Sequence, residues 1–339
     1  MKIAIIGANQ KDSMEWHIAD AFLYAGHNAK IFDIYDKFPY TVKRIKPYFL
    51  AFDKTLRTYC DKYDQNRFLT VAKIVVDYNP DLVICFYKDI HPVFVDNVKS
   101  NNRRVIHVNP DAMTTLGYQQ VIAANYDAWF TKDKYMYDFM KNKAKLNVFI
   151  YNEAFNHRYN PKPLCCKEEM EKEINIDVMT YGTLYPYRTR MLKCLINEGI
   201  DIKLYGIVPH RFFDKTVEKH CMRKYIVGEE KAHILYGAKI VFNNLHFAEV
   251  ESVNCRFYEA NGCGAFQICD YKPILKDLLP IDPELVSFKT IEEGVEKVNY
   301  YLSHPEERYF IADKVYNHFL KNYTYDHLVQ YIIKMVETL

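Results

Sequence analysis

Short apolar runs of strand length recur along this chain, each leading through a turn into a stretch with helical spacing, and the pattern is played twice. Ile3–Ile6 ends at Gly7 and is followed by a helical stretch over Met14–Tyr24, which Gly26 closes. Ala29–Ile34, Asp81–Phe86, Arg104–Val108, Ala128–Phe130 and Asn147–Ile150 extend the series. Segment Asn156–Glu173 interrupts it with Pro161, Pro163 and the charged run KEEMEKE, and reads as a solvated linker. The alternation then restarts with strands at Ile174–Tyr181, Ile202–Tyr205, Lys239–Phe242 and Ala265–Cys269 and a helix over Pro186–Asn197. Helices over Ile291–Leu302, Pro305–Leu320 and Tyr325–Thr338 close the chain. Short apolar strands alternating with helices predict parallel sheets covered on both faces. A length of 339 residues, against ~150 for a usual domain, predicts two of them. The expected fold class is therefore α/β with two Rossmann-like domains, and ligands are expected at the carboxyl ends of the strands, in the cleft between them.

The charge balance removes several classes of partner. A net charge of +2 gives no global attraction to polyanions, so nucleic acid is not an expected partner. The nine cysteines form no C-x-x-C pair, and Cys165 beside Cys166 suits neither zinc nor an ordinary disulfide, so reduced thiols are expected. The N-terminus reads as a strand rather than a signal peptide, and no apolar run approaches the ~18 residues of a membrane span. A cytoplasmic protein is expected, at most peripheral at the inner face of the membrane. The one feature bearing on membranes is a basic amphipathic helix within 43–67. Its apolar positions Tyr48, Phe49, Phe52, Leu56, Tyr59, Cys60 and Tyr63 fall at helical spacing, flanked by Lys43, Arg44, Lys46, Lys54, Arg57, Lys62 and Arg67. An ordinary surface helix with its apolar face on the core is the simpler expectation.

Absent motifs narrow the chemistry further. Gly7-Ala8-Asn9-Gln10 after the first strand is not G-x-G-x-x-G, and the chain has no G-x-x-x-x-G-K-[ST]. Nowhere does an Asp stand two residues from another, which removes the usual Asp-x-Asp metal clamp for a nucleotide diphosphate. No cofactor and no metal are expected. Any bound diphosphate must be held by protein cations and helix N-termini.

The richest stretch is Glu249–Asp270, EVESVNCRFYEANGCGAFQICD. Ser252 or Asn254 starts a helix running to about Ala260, and Gly262 and Gly264 lead out of it into a strand. Such a helix start offers free N–H groups to a diphosphate, and Arg256 adds a guanidinium that matches phosphate oxygens. Glu259 supplies two acceptors for the vicinal hydroxyls of a ribose, and Glu251, ahead of the helix, can accept from sugar hydroxyls at the reacting end. A second candidate is Tyr181–Arg190, where Gly182 and Thr183 follow a strand and a helix opens near Pro186. Gly182 permits close backbone approach to a ligand, and Arg188 can reach a phosphate. On the other half, Asp111 and His107 stand where a strand enters HVNPDAM, and either can approach an acceptor hydroxyl as base or hydrogen-bond partner. Taken singly, Asp111 reads as a turn residue and His107 as a core histidine. Lys88 and His91, after Asp81–Phe86, are weaker acceptor-side candidates.

The order and spacing of these pieces resemble the CgeB-like spore-maturation glycosyltransferases, within the group-1 (GT-B) glycosyltransferases. The resemblance rests on Asp177–Arg188, Leu204-Tyr205-Gly206, Val227-Gly228 with Lys239–Asn243, and Ser252–Ala260 with Gly262–Phe266. Tyr300–Arg308 belongs to it too, and Tyr126–Asp133 and Asn152–Asn156 match more loosely. It implies a GT-B fold with an acceptor-side domain over 1–160, a donor domain over 161–320, and a C-terminal helix, 321–339, packing back on the first domain. It further implies that Glu259 binds the ribose, that Asn254 and Arg256 bind the diphosphate, and that Gly182, Tyr205, Gly206 and Gly228 lie in the loops around base and phosphates. The spacing of Glu251 and Glu259 resembles that of retaining enzymes. The expected activity is metal-independent transfer from a nucleotide-diphosphate sugar, a UDP-sugar, to a glycan, lipid-linked glycan or protein hydroxyl, with Glu251, Arg256 and Asp111 as catalytic residues. A sugar-nucleotide epimerase or hydrolase on the same frame, or a binding protein without turnover, fits the same residues.

Overall fold

The computed structural model describes residues 1–35, 46–100, 102–111, 120–208 and 214–339. They divide into two units: Met1–Tyr151 with Leu328–Leu339, and Asn152–His327.

In the first unit, strands Lys2–Ile6 (β1), Asn28–Phe32 (β2), Leu82–Cys85 (β3), Arg104–Asn109 (β4), Ala128–Thr131 (β5) and Val148–Ile150 (β6) form a parallel sheet in the order β2-β1-β3-β4-β5-β6. Between them run helices Met14–Tyr24 (α1), Lys46–Tyr59 (α2), Asp61–Tyr78 (α3), Pro92–Val98 (α4) and Lys134–Asn142 (α5). The inner strands β3 and β5 are buried at every residue, which is why they read as unbroken apolar runs, whereas the edge strand β2 carries Lys30 and is half exposed. Local punctuation is clear: Ser13 caps α1, and Asn79 ends α3 in the left-handed conformation (φ 51°), with Pro80 forbidding a further turn. Strand order reverses between β1 and β3, so the loops after these two strands flank a switch point.

One helix departs from expectation. The stretch expected as a single helix breaks at Cys60, whose backbone is extended, into α2 and α3. Its burial is also inverted. Tyr48, Phe52 and Tyr59 are 77%, 62% and 83% exposed, while Asp53 and Arg57 are buried. Arg57 turns inward because its guanidinium is fully used: Nε donates to Asp64 Oδ1 at 2.6 Å, Nη2 meets Asp89 at 2.8 Å and Nη1 donates to the Tyr35 hydroxyl. Asp53 accepts from the Tyr63 hydroxyl and faces Arg67. Two members of the supposed basic flank are thus spent on internal pairs, and Lys43 and Arg44 lie outside the described residues.

The second unit holds Ile176–Tyr181 (β7), Ile202–Tyr205 (β8), Ala238–Asn243 (β9), Gln267–Asp270 (β10) and Ser287–Phe288 (β11) in a parallel sheet ordered β11-β10-β9-β7-β8. Its helices are Lys167–Ile174 (α6), Pro186–Asn197 (α7), Lys215–Glu218 (α8), Gly228–Gly237 (α9), Cys255–Gly262 (α10), Leu275–Leu278 (α11), Ile291–Leu302 (α12) and Pro305–Asn322 (α13). Here the switch point falls between β7 and β9. The charged run expected to be a linker is helix α6: Lys167 and Glu171 are buried, the lysine donating to the carbonyls of Tyr236 and Gly264 and Glu171 pairing with buried Arg308 at 2.6 Å. Unit 2 also begins earlier than residue 161, because Phe155 lies fully buried in its core and hydrogen-bonds through its backbone to Tyr323 and Tyr325. Gly262 faces the Phe155 ring so closely that a Cβ there would stand 2.2 Å from it.

The last helix, Tyr325–Val336 (α14), ends in the first unit. Val329 and Ile332 are fully buried, Tyr331 donates to the carbonyl of Ile150, and Arg104 donates to that of Leu339. No helix among the described residues is long and apolar enough to cross a membrane.

Candidate functional site

The switch point of the second sheet collects the residues singled out in the sequence. Asn254 is the N-cap of α10, its Oδ1 accepting from Phe257 N at 3.1 Å. Its amide also exchanges hydrogen bonds with Asn243, which in turn donates to Gln267 at 2.8 Å. Asn254 is buried, and its side chain is spent on the cap of α10 and on this neutral chain of amides.

Two arginines meet beside that helix start. Arg256 Nη1 donates to the carbonyl of Tyr181 at 2.8 Å, and its side chain lies over Gly182, whose missing Cβ leaves the room it occupies (3.2 Å to Cδ). Arg188 is completely buried, and differs in this from the phosphate-reaching group expected of it. Its nitrogens donate to Asn244 Oδ1 at 3.0 Å, the Thr183 carbonyl at 2.6 Å and Thr180 Oγ1 at 2.9 Å, with a longer contact to the Tyr181 carbonyl. Arg188 therefore ties the loop after β7 to the loop after β9. Burial first, and then the charge of Arg256, pull its pKa down from the ordinary guanidinium value. Neither arginine forms an ion pair among the described residues, and both are held by neutral oxygens.

The loops after β7 and β8 touch through glycines. Gly206 has φ 131°, and a Cβ there would lie 2.2 Å from the carbonyl oxygen of Gly182, itself at φ 96°. Both positions need glycine for conformation, and Gly206 needs it for space as well. Tyr205, just before, is buried, and Gly228 opens α9 at φ 58° beside the Tyr159 ring.

Glu259, in α10, is held at both oxygens. Lys231 from α9, 2% exposed at its side chain, reaches Oε1 at 3.0 Å, and the Tyr181 hydroxyl donates to Oε2 at 3.1 Å. Burial and the facing carboxylate push the Tyr181 hydroxyl well above its usual pKa, so it stays a donor. Sequence reading missed Lys231, although a lysine three residues into a helix opened by Gly228 was a usable signal. Glu251, in the turn before α10, is half-buried, and Glu249 is buried.

On the first unit the candidates separate. Lys88 and Asp111 form an ion pair beyond the ends of β3 and β4, both half-buried, so the structure brings these two acceptor-side candidates together. His107 is a correction: it is fully buried, packs on Trp129 at 4.4 Å between ring centroids, and meets Tyr126 edge-on. Burial lowers its pKa to about 4. It has no path to an acceptor hydroxyl and belongs to the core. His91 caps α4 and pairs with Asp61. Among the described residues no group of three or more His, Cys, Asp or Glu side chains is placed to hold a metal ion.

The two parallel α/β sheets are those of the GT-B fold, which the solved structures named below share, and residues 188–334 match the family described as glycosyl transferase-like. The chain is a homologue of the spore protein CgeB of Bacillus subtilis (strain 168), at 25% identity over 231 residues that make up 59% of this chain and 71% of CgeB. Among solved structures, Anabaena Alr3699/HepE in complex with UDP-glucose aligns over 100% of both chains with a TM-score of 0.69 and 12% identity. Sucrose-phosphate synthase of Thermosynechococcus elongatus aligns over 99% of this chain and 98% of its own, with a TM-score of 0.67 and 11% identity. At such identities these two structures speak for the fold.

Proposed function

We propose that the chain transfers a sugar from a UDP-sugar to a hydroxyl of a glycan, lipid-linked glycan or protein, with protein cations in place of a metal at the diphosphate. One observation carries the reading: Arg188 and Arg256 converge on the Tyr181 carbonyl beside the start of α10, with no ion pair among the described residues. A diphosphate supplies the missing negative charge, and a UDP-sugar complex of a protein with the same fold supports uridine as the base. In this mechanism Arg256 and the helix start stabilise charge developing on the leaving UDP. Arg188 holds the two loops that present them. Glu259, oriented by Lys231 and Tyr181, accepts from the ribose hydroxyls, with Tyr205, Gly206 and Gly228 in the surrounding loops. Glu251 orients the sugar. Asp111, paired with Lys88, receives the acceptor proton. The spacing of Glu251 and Glu259 supports retention of anomeric configuration, which NMR of the first-formed product reads directly.

The test is thermal stabilisation of wild type and Glu259→Gln by UDP, GDP and ADP with EDTA throughout. A ligand at ~100 times its Kd adds about 2.7 kcal/mol of stability. Stabilisation of the wild type by UDP, lost in the variant, supports the assignment. No response to any nucleotide defeats it.

A further inference from the structure

Four aromatic rings gather in the loops that carry Gly182 and Asn244. Tyr185 and Tyr187 stack at 6.1 Å between centroids, His246 and Phe247 at 4.4 Å, and Tyr187 stands edge-on to both of the latter at 5.2 and 5.4 Å. Phe247 is 74% exposed and Tyr185 48%, so the cluster is not filling a core. It is nonetheless held: Leu245 N donates to Asp270 at 2.6 Å, Ala248 N to His246 Nδ1 at 3.0 Å, and Glu249 N to the His246 carbonyl at 3.1 Å. Rings fixed before a ligand arrives bind it without paying for their own ordering.

We propose that this ring cluster seats the glycosyl ring of the donor and that the sugar is a neutral pyranose. The inference rests on the donor reading above and names the substrate class it leaves open. Helix α10 sets the order of the donor along the site. With Glu259 at the ribose and Arg256 one turn earlier at the diphosphate, the next group falls ahead of the helix, where Glu251 and the rings stand. The base lies on the other side of the ribose. Tyr185 and Tyr187 follow closely on Gly182, over which the Arg256 side chain lies, and this places the rings beside the diphosphate end. A pyranose presents an apolar C–H face, which packs on exposed rings, and a rim of hydroxyls, which donate to carboxylates. Glu249 and Glu251 in the same turn repel an acidic sugar, so the site selects against one as well as for a neutral ring.

The experiment is calorimetric titration of wild type, Phe247→Ala and Glu251→Gln with UDP, UDP-glucose, UDP-galactose, UDP-N-acetylglucosamine and UDP-glucuronate. Phe247 is exposed, so its truncation leaves the fold intact. Losing the stacking contact is expected to weaken the best neutral UDP-hexose about 3- to 10-fold while leaving UDP within about twofold. Wild type is expected to bind UDP-glucuronate at least about tenfold more weakly than that hexose, with Glu251→Gln narrowing the gap. Equal weakening of UDP and UDP-hexose in Phe247→Ala would put the base on the rings and overturn the proposal. So would an unchanged hexose affinity, or a wild type that prefers the glucuronate. A wild type that binds UDP in none of its forms defeats the donor reading itself, a different failure from these.

Discussion

Arg188 and Arg256 donate to one carbonyl oxygen, that of Tyr181, at 3.3 and 2.8 Å, yet one is sealed in the protein and the other borders the site. Their substitutions are therefore expected to diverge. Arg256→Ala should lower kcat strongly with little change in melting temperature. Arg188→Ala removes the guanidinium donor from the buried oxygens of Asn244 and Thr180 and should cost roughly 3 kcal/mol or more of stability. Urea unfolding beside steady-state kinetics separates the two; a similar stability loss in both would contradict this division of labour.

Glu259 binds Lys231 as well as its proposed ligand, so its removal has two effects. Glu259→Ala should destabilise the empty protein by roughly 3 kcal/mol, because it breaks a buried ion pair by removing one side of it. Adding Lys231→Met should recover most of that stability and none of the donor affinity. If the double variant regained UDP binding, the carboxylate would be structural alone.

Gly206→Ala tests the contact between the loops. A Cβ has no room against the Gly182 carbonyl, and the backbone conformation disfavours it as well. UDP affinity is expected to drop more than tenfold, with the far-UV spectrum unchanged; an alanine variant of wild-type affinity would show that the loops yield easily.

How far the sequence reached follows from how local each feature is. Helix α10 was legible because its cap, its glycines and the strand after it sit within one short stretch. The Lys231–Glu259 pair was not, since the partners come from different helices and meet only once α9 and α10 have packed. His107 stayed open between a core histidine and an acceptor-side candidate for the same reason. Nothing near it in the chain announces Trp129, its neighbour across the parallel pair β4–β5. The α2 face misled because aromatic spacing marks a face without saying which way it points, and here Arg57, Asp64 and Asp89 claimed the inside.

That inversion has a measurable consequence. Phe52→Ser should change stability by less than about 0.5 kcal/mol, as a surface substitution does. Arg57→Met should cost about 3 kcal/mol, because it breaks the buried pair with Asp64 and the contacts to Asp89 and Tyr35. Chemical denaturation of both variants decides it, and the reverse ranking would restore the apolar face to the core.

His107 predicts acid sensitivity. Its folded pKa, about 4, lies below the 6.5 of an ordinary imidazole. Between those values the unfolded chain binds the proton and the folded one does not, so stability falls as pH drops from about 6.5 to about 4. His107→Gln should flatten that part of the pH–stability profile, and an unchanged profile would assign the loss to other groups.

The backbone contact between Gly206 and Gly182 also limits how this enzyme can diversify. Two loops pressed together without side chains form one rigid part, so neither can lengthen or bend to suit a new donor without displacing the other. A change of donor preference must then come through residues that overhang this part, such as Phe247, and relatives with other donors should differ there first.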